Sequence, residues 1–169
     1  AASKMPVDSQ VVFHIVGSGS SLEACRSRAD ELKLNNIVFH GRKPVEEMPA
    51  YYAASDAMLV TFADSPMAKY TLPRKVTTYL AAGKPVLAAL SGETKRVLDA
   101  AGCGIACGIE DPEGLARICS EFEHSDKKDE MGQAARKYYM DNFTKEHFFN
   151  KLEALLVSLT KEQLWQYRA

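Results

Sequence analysis

Residues 57–89, AMLVTFADSPMAKYTLPRKVTTYLAAGKPVLAA, decide the fold. Ala57–Thr61 (AMLVT) is a short apolar run of strand length, and Val86–Ala89 is another. Between them lie a loop, ADSPMAKYT at 63–71, a stretch of helical spacing from Pro73 to Ala82, and the stop Gly83-Lys84-Pro85. Strand, helix and strand joined by short turns make one βαβ unit, which implies a parallel sheet.

The same alternation continues on both sides. Upstream, Val11–Val16 (VVFHIV) reads as a buried parallel strand, followed by the turn Gly17-Ser18-Gly19-Ser20-Ser21 with its N-cap residues. A helix carries Leu22, Cys25, Ala29 and Leu32 at helical spacing and is expected to stop at Asn35–Asn36. Ile37–His40 is a second strand, closed by Gly41, and Met48–Ala54 is a short helix. Downstream, a helix at about 93–101 ends at Gly102-Cys103-Gly104, and Ile105–Cys107 is a fifth strand. Asp111-Pro112 starts the next helix, with Asp as N-cap and Pro at the first helical position. Residues 127–167 are helical with one break near Asn142–Thr144, where Thr144 can cap the last helix. The expected architecture is a doubly wound α/β domain over 11–125, a polar lead-in at 1–10 and C-terminal helices over 126–169.

Composition narrows the function classes. The 169 residues are close to one domain in size, with 46% hydrophobic and 25% charged residues. A net charge of -1 leaves no basic stripe for nucleic acid. No apolar run approaches the roughly 20 residues of a membrane span. No secretory core opens the chain, so a cytoplasmic location is expected. Cys25, Cys103, Cys107 and Cys119 form no CxxC pair and read as free buried thiols.

Ligands of open parallel sheets bind at the carboxyl ends of the strands. Gly17-Ser18-Gly19 follows a strand and opens a helix, so it can admit a phosphate against the backbone or simply make a tight turn. Gly41-Arg42 closes a strand, and Arg42 can pair with phosphate or stay solvated. Thr71-Leu72-Pro73-Arg74-Lys75 is the strongest local feature. Its helix start has free N–H groups and a partial positive charge, so Arg74 and Lys75 beside it point to a compensating anion, unless the basic start is solvated. Glu93 either complements the next helix dipole or reaches ligand hydroxyls. Asp56 and Asp64 have no evident acid/base partner, and no nucleophile elbow is present.

Taken in order, these residues resemble the C-terminal half of GT-B glycosyltransferases of family four. The matching runs are FHIVGSGS, IVFHGRKPVEEMPAYYAASDAMLV, LPRKVTTYLAAGKPVLAALSGET, AGCGIACGIEDPEGLA, MGQAARKYY and DNFTKEHFFNKL, spanning about residues 11–157. The likeness is greatest to bacterial members that build surface polysaccharides. It implies a Rossmann-like donor domain for a nucleotide diphosphate sugar, retention of anomeric configuration and no metal. Gly17, Ser18, Gly41 and Arg42 would lie near the nucleotide. Thr71, Leu72, Pro73 and Lys75 would meet the diphosphate; a ribose contact from the shorter, neutral Thr78 would be weaker than the family's glutamate makes or differently made, and no catalytic residue is assigned.

The sequence departs from the family in two ways. The paired glutamates of the family would fall at positions 70 and 78, which hold Tyr70 and Thr78. The glycine-arginine stretch and lysine that clamp the diphosphate would precede Val11, and the acceptor half with its catalytic histidine is also absent. The chain is thus expected to be part of a longer protein, whose other half faces a glycan or membrane-lipid acceptor; the C-terminal helices either cross to that half, with Trp165 and Tyr167 at the contact, or pack on this domain, with Trp165 capping its own core. Charge-assisted contacts are each worth roughly 1.5–3 kcal/mol, so without the missing basic groups millimolar nucleotide binding and no sugar transfer are expected. Two other readings stay open: a non-catalytic nucleotide-binding or interaction module, and a nucleotide-sugar epimerase half, for which only His14, His40, His124 and His147 could supply imidazole.

Overall fold

The computed structural model describes residues 1–166, with side chains through residue 159. A 3-10 turn at Ala2–Lys4 leads to β1 (Phe13–Val16), α1 (Leu22–Glu31), β2 (Ile37–Gly41) and, after a 3-10 turn at Val45–Glu47, α2 (Met48–Ala54). Next come β3 (Met58–Thr61), a 3-10 turn at Pro66–Tyr70, α3 (Arg74–Ala81), β4 (Val86–Ala89), α4 (Glu93–Ala101) and β5 (Gly104–Cys107). α5 (Pro112–Glu123), α6 (Lys128–Asn142) and α7 (Lys145–Gln166) complete the described residues.

The α/β class and the parallel pairing are as the sequence implies, but the strands divide between two sheets. One has the order β3-β4-β5 and the other is the pair β1-β2. Every pairing is parallel. β4 is central in the larger sheet and its four residues are all buried. Its side chains alternate across the sheet as strand geometry requires. Val86 and Ala88 join Val60, Val76, Leu80, Val97 and Leu98 in one core cluster, while Leu87 and Ala89 join Leu115, Ile118 and Phe122 in another. This two-sided burial explains why VLAA reads as a continuous apolar run.

β1 departs from expectation. It begins at Phe13 rather than Val11, and His14 and Ile15 stand exposed. Its far edge pairs with no strand among the described residues, and the apolar run that reads as buried is covered only in part. Val11 and Phe13 still reach the second core cluster. The lead-in segment is also tied down: Lys4 pairs with Glu113 at 3.1 Å, and Glu123 accepts hydrogen bonds from the Ser9 hydroxyl at 2.7 Å and the Gln10 amide at 2.6 Å.

Local signals decide most helix ends. Asp111 Oδ1 accepts the Gly114 amide at 2.7 Å, and Thr144 Oγ1 accepts the His147 amide at 3.2 Å, both as the cap residues predict. α1 stops earlier than Asn35–Asn36, because Leu32 closes it and Lys33 turns left-handed at φ 52°. The Asn36 amide group instead donates to the Ala2 carbonyl at 3.0 Å. Ser21 occupies the N-cap of α1 without a side-chain bond. α3 and α6 pack closely: a Cβ on Gly132 would lie 2.7 Å from the Gly83 carbonyl oxygen, and Arg136 donates to the Ala81 carbonyl at the end of α3. The four cysteines are free, but only Cys103 and Cys119 are buried, and Cys25 is exposed. Burial pushes the thiols of Cys103 and Cys119 up to about 11. No helix among the described residues is long and apolar enough to cross a membrane.

Candidate functional site

β3, β4 and β5 are parallel, so the loops that follow them leave one edge of the sheet. These loops hold 62–73, 90–92 and 108–111. The stretch 63–71, read as loop, contains the 3-10 turn at Pro66–Tyr70. Ser65 starts it: its hydroxyl accepts the Ala68 amide at 3.2 Å. Ala68 is buried, so the turn is anchored to the domain rather than free in solvent. The Thr71 hydroxyl closes it by donating to the Met67 carbonyl at 2.7 Å.

The helix start lies one residue later than expected. Pro73 has φ -65° and ψ 144°, which makes it the extended N-cap of α3, and Arg74 is the first helical residue. The correction follows from ψ: a proline in the first turn needs a helical value, which Pro73 does not have. Pro73 contributes no capping side chain. The first amides of α3 therefore lack a side-chain cap, with the cationic Arg74 and Lys75 exposed next to them. An anion placed there would meet both the helix dipole and two positive charges. Val76 and Leu80 bury one face of α3 in the first core cluster, and Leu72, just before the helix, packs against the same cluster.

The two positions where the resemblance places glutamates differ in surroundings. Tyr70 ends the 3-10 turn and is 82% exposed. Thr78 lies on an exposed part of α3, and its hydroxyl donates to the Arg74 carbonyl at 3.1 Å. Neither can act as a carboxylate.

α4 begins beside this segment. Gly92 is its N-cap, and the Thr94 hydroxyl donates to the Thr71 carbonyl at 2.7 Å. Arg96 holds Glu93 through two hydrogen bonds, from Nε to Oε2 at 2.8 Å and from Nη2 to Oε1 at 2.5 Å. The Arg96 hydrogen bond lowers the Glu93 carboxyl pKa below its ordinary value, so the group stays ionised at neutral pH. Glu93 thus sits in the first turn of α4, where the dipole favours a carboxylate, and is already paired with Arg96.

Gly17, Ser18, Gly41 and Arg42 gather at the carboxyl end of the β1–β2 pair. The Gly17 amide donates to the Gly41 carbonyl at 2.8 Å, and the register slips between Ile15 and Val16 so that Val16 lies opposite Gly41. Ser18 and Arg42 are exposed. The structure therefore joins Gly17 to Gly41, and Thr71 to the start of α4, as two groups on separate sheets. Asp56 is exposed next to β3, and the Asp64 amide donates to Glu110 Oε1 at 3.3 Å.

Glu110 and Thr94 escape a reading of the sequence alone, whereas Gly92 stands in the capping start expected at 91–93 and is the N-cap of α4. Glu110 comes from the turn after β5 and reaches the β3 loop with a left-handed backbone, φ 55°. Gly92 and Thr94 contact the 3-10 turn and Thr71. The signal for Thr94 was present: it shares a helical stripe with Val97, Leu98 and Ala101, all buried. A hydroxyl in that stripe needs a partner.

Comparison with known proteins gives the same direction. The family model for glycosyl transferases group 1 matches residues 1–138. A curated relative, the probable glycosyltransferase WbjE of Pseudomonas aeruginosa, is 27% identical over 164 residues. That match covers 96% of this chain but 40% of the relative, so the chain spans well under half of the relative's length.

Proposed function

The chain belongs to the group 1 glycosyl transferases, and on that premise we propose that it is the donor-binding part of a longer, retaining hexosyltransferase, taking a nucleotide diphosphate sugar. One observation carries the reading: α3 opens with no capping side chain, and Arg74 and Lys75 stand exposed in its first turn. A diphosphate matches this arrangement in charge and in hydrogen-bond demand. Gly17, Ser18, Gly41 and Arg42 would take the nucleoside side, Thr71, Leu72, Pro73 and Lys75 the diphosphate, and Thr78 and Glu93 the hydroxyls. The charge is met by protein cations and amides, so binding needs no metal.

The rest of the longer protein has work to do in this scheme. β1 and β3 each leave an edge unpaired among the described residues. An unpaired parallel edge exposes backbone donors and acceptors that a further strand would satisfy. We assign such a strand, with further basic residues for the diphosphate, to the longer protein. Its other half would supply the acceptor site, for a glycan or a lipid-linked glycan, in polysaccharide synthesis at the inner face of the membrane. Phe148, Leu155 and Leu159 of α7 are half exposed or more and would meet that half. The Trp165 side chain and Tyr167, expected at the same contact, lie outside the described residues.

Calorimetric titration with uridine and guanosine diphosphates tests the proposal. Millimolar binding that is lost in Arg74→Ala/Lys75→Ala and unchanged by a chelator supports it. Binding that ignores the double substitution would move the site elsewhere. A second reading, a nucleotide-binding module without chemistry, draws on Tyr70 and Thr78, neither of which offers a carboxylate. Sugar transfer by the full-length protein from a nucleotide sugar would exclude it.

A further inference from the structure

We propose that Thr94 and Gly92 are positioning residues for the diphosphate site at α3, an assignment that rests on the nucleotide-sugar reading above. Thr94 is the one buried polar side chain among the described residues whose burial is complete, with 0% exposure. Its hydroxyl spends its proton on the Thr71 carbonyl at 2.7 Å. Gly92 touches the same segment two residues earlier. A Cβ at Gly92 would lie 2.2 Å from the Lys69 carbonyl oxygen and 2.5 Å from its Cα, and φ is +76°. No side chain fits there, and the left-handed backbone favours glycine on its own account.

The two contacts fix Lys69 and Thr71 on either side of the exposed Tyr70. Two residues on from Thr71, Pro73 caps α3. The start of α4 therefore holds the segment that delivers the first amides of α3. A site made of backbone donors cannot adjust by changing rotamer, so its affinity depends on where the backbone is held. That gives Thr94 and Gly92 a reason to be a hydroxyl and a glycine beyond the stability of the core.

The test uses Thr94→Val, which keeps the β-branched shape and removes the hydroxyl, Thr94→Ser, which keeps the hydroxyl, and Gly92→Ala. Amide hydrogen exchange is read at 68–72 and, as a control for global opening, at Val86–Ala89 in β4. Uridine and guanosine diphosphates are titrated by NMR below the melting point of every variant. In Thr94→Val, exchange at 68–72 is expected to rise about tenfold over the β4 control, and the apparent Kd to rise about tenfold, the size of one lost buried hydrogen bond; Gly92→Ala, whose Cβ pushes the Lys69 backbone aside, should move both in the same direction. Thr94→Ser should restore both. Exchange at 68–72 that merely follows β4, or unchanged affinity despite faster exchange, would overturn the positioning role while leaving the site. Failure of the unsubstituted chain to bind either nucleotide would remove the site, and the positioning role with it.

Discussion

Arg96 grips both carboxylate oxygens of Glu93, at 2.8 Å and 2.5 Å, across one turn of α4. The pair is partly exposed, so its worth lies less in stability than in keeping a carboxylate ionised and aimed. Replacing Arg96 by Met should raise the Glu93 carboxyl pKa towards its ordinary 4.5. Carbon-detected NMR titration of the Glu side chains reads this directly. An unmoved Glu93 would show that the helix start, rather than Arg96, holds it down.

Glu123 ties the N-terminal segment to α5 by accepting from Ser9 and Gln10. The Gln10 amide and then the Ser9 hydroxyl lower its pKa from the ordinary 4.5. A depressed folded-state value means that its stabilisation is complete above 4.5 and lost as pH falls through the lower folded value. Glu93 and Glu113 are shifted in the same direction, by Arg96 and Lys4 respectively. The thermal midpoint should therefore drop as the solution is acidified below about pH 4.5. In Glu123→Gln the acid slope should flatten, with the midpoint at pH 7 reduced. An equal slope in both proteins would argue that the segment is held by its other contacts.

Gly132 and Leu80 test how α3 is held against the rest of the domain. Leu80 is fully buried in the first core cluster, and Leu80→Ala should cost about 2–5 kcal/mol. At Gly132 a Cβ would meet the Gly83 carbonyl oxygen at 2.7 Å, and Gly132→Ala should cost about 1–3 kcal/mol by forcing the helices apart. Urea denaturation measures both. A neutral Gly132→Ala would mean that α6 can slide away from the Gly83 turn without loss.

Much of the fold was legible because its signals are local. VLAA at 86–89 is apolar without alternation because β4 is covered on both sides. Asp111-Pro112 and Thr144 cap the helices they precede. What escaped depends on partners distant in sequence. VVFHIV has the composition of a buried strand, yet His14 and Ile15 are exposed, and β1 pairs with β2 alone among the described residues. Cys25 sits at an apolar spacing on α1 but is exposed. The 3-10 turn at Pro66–Tyr70 hides in a stretch whose Ser and Pro read as loop.

The candidate site divides in the same way. Arg74, Lys75 and the uncapped helix start could be read from TLPRK, within one residue of where α3 begins. That Glu93 is already paired, and that Thr94 and Gly92 hold the segment before α3, could not be read, since each depends on a contact in three dimensions.

On the proposed reading, α3 receives a diphosphate. The most direct test is to map amide chemical shifts of the chain as uridine or guanosine diphosphate is added. The largest shifts should fall at 74–76, with smaller ones at Gly17 and Gly41, at millimolar nucleotide, and sugar transfer by this chain alone should be absent. Saturable shifts that leave 74–76 unmoved, or sugar transfer by the chain without the rest of the protein, would contradict the account.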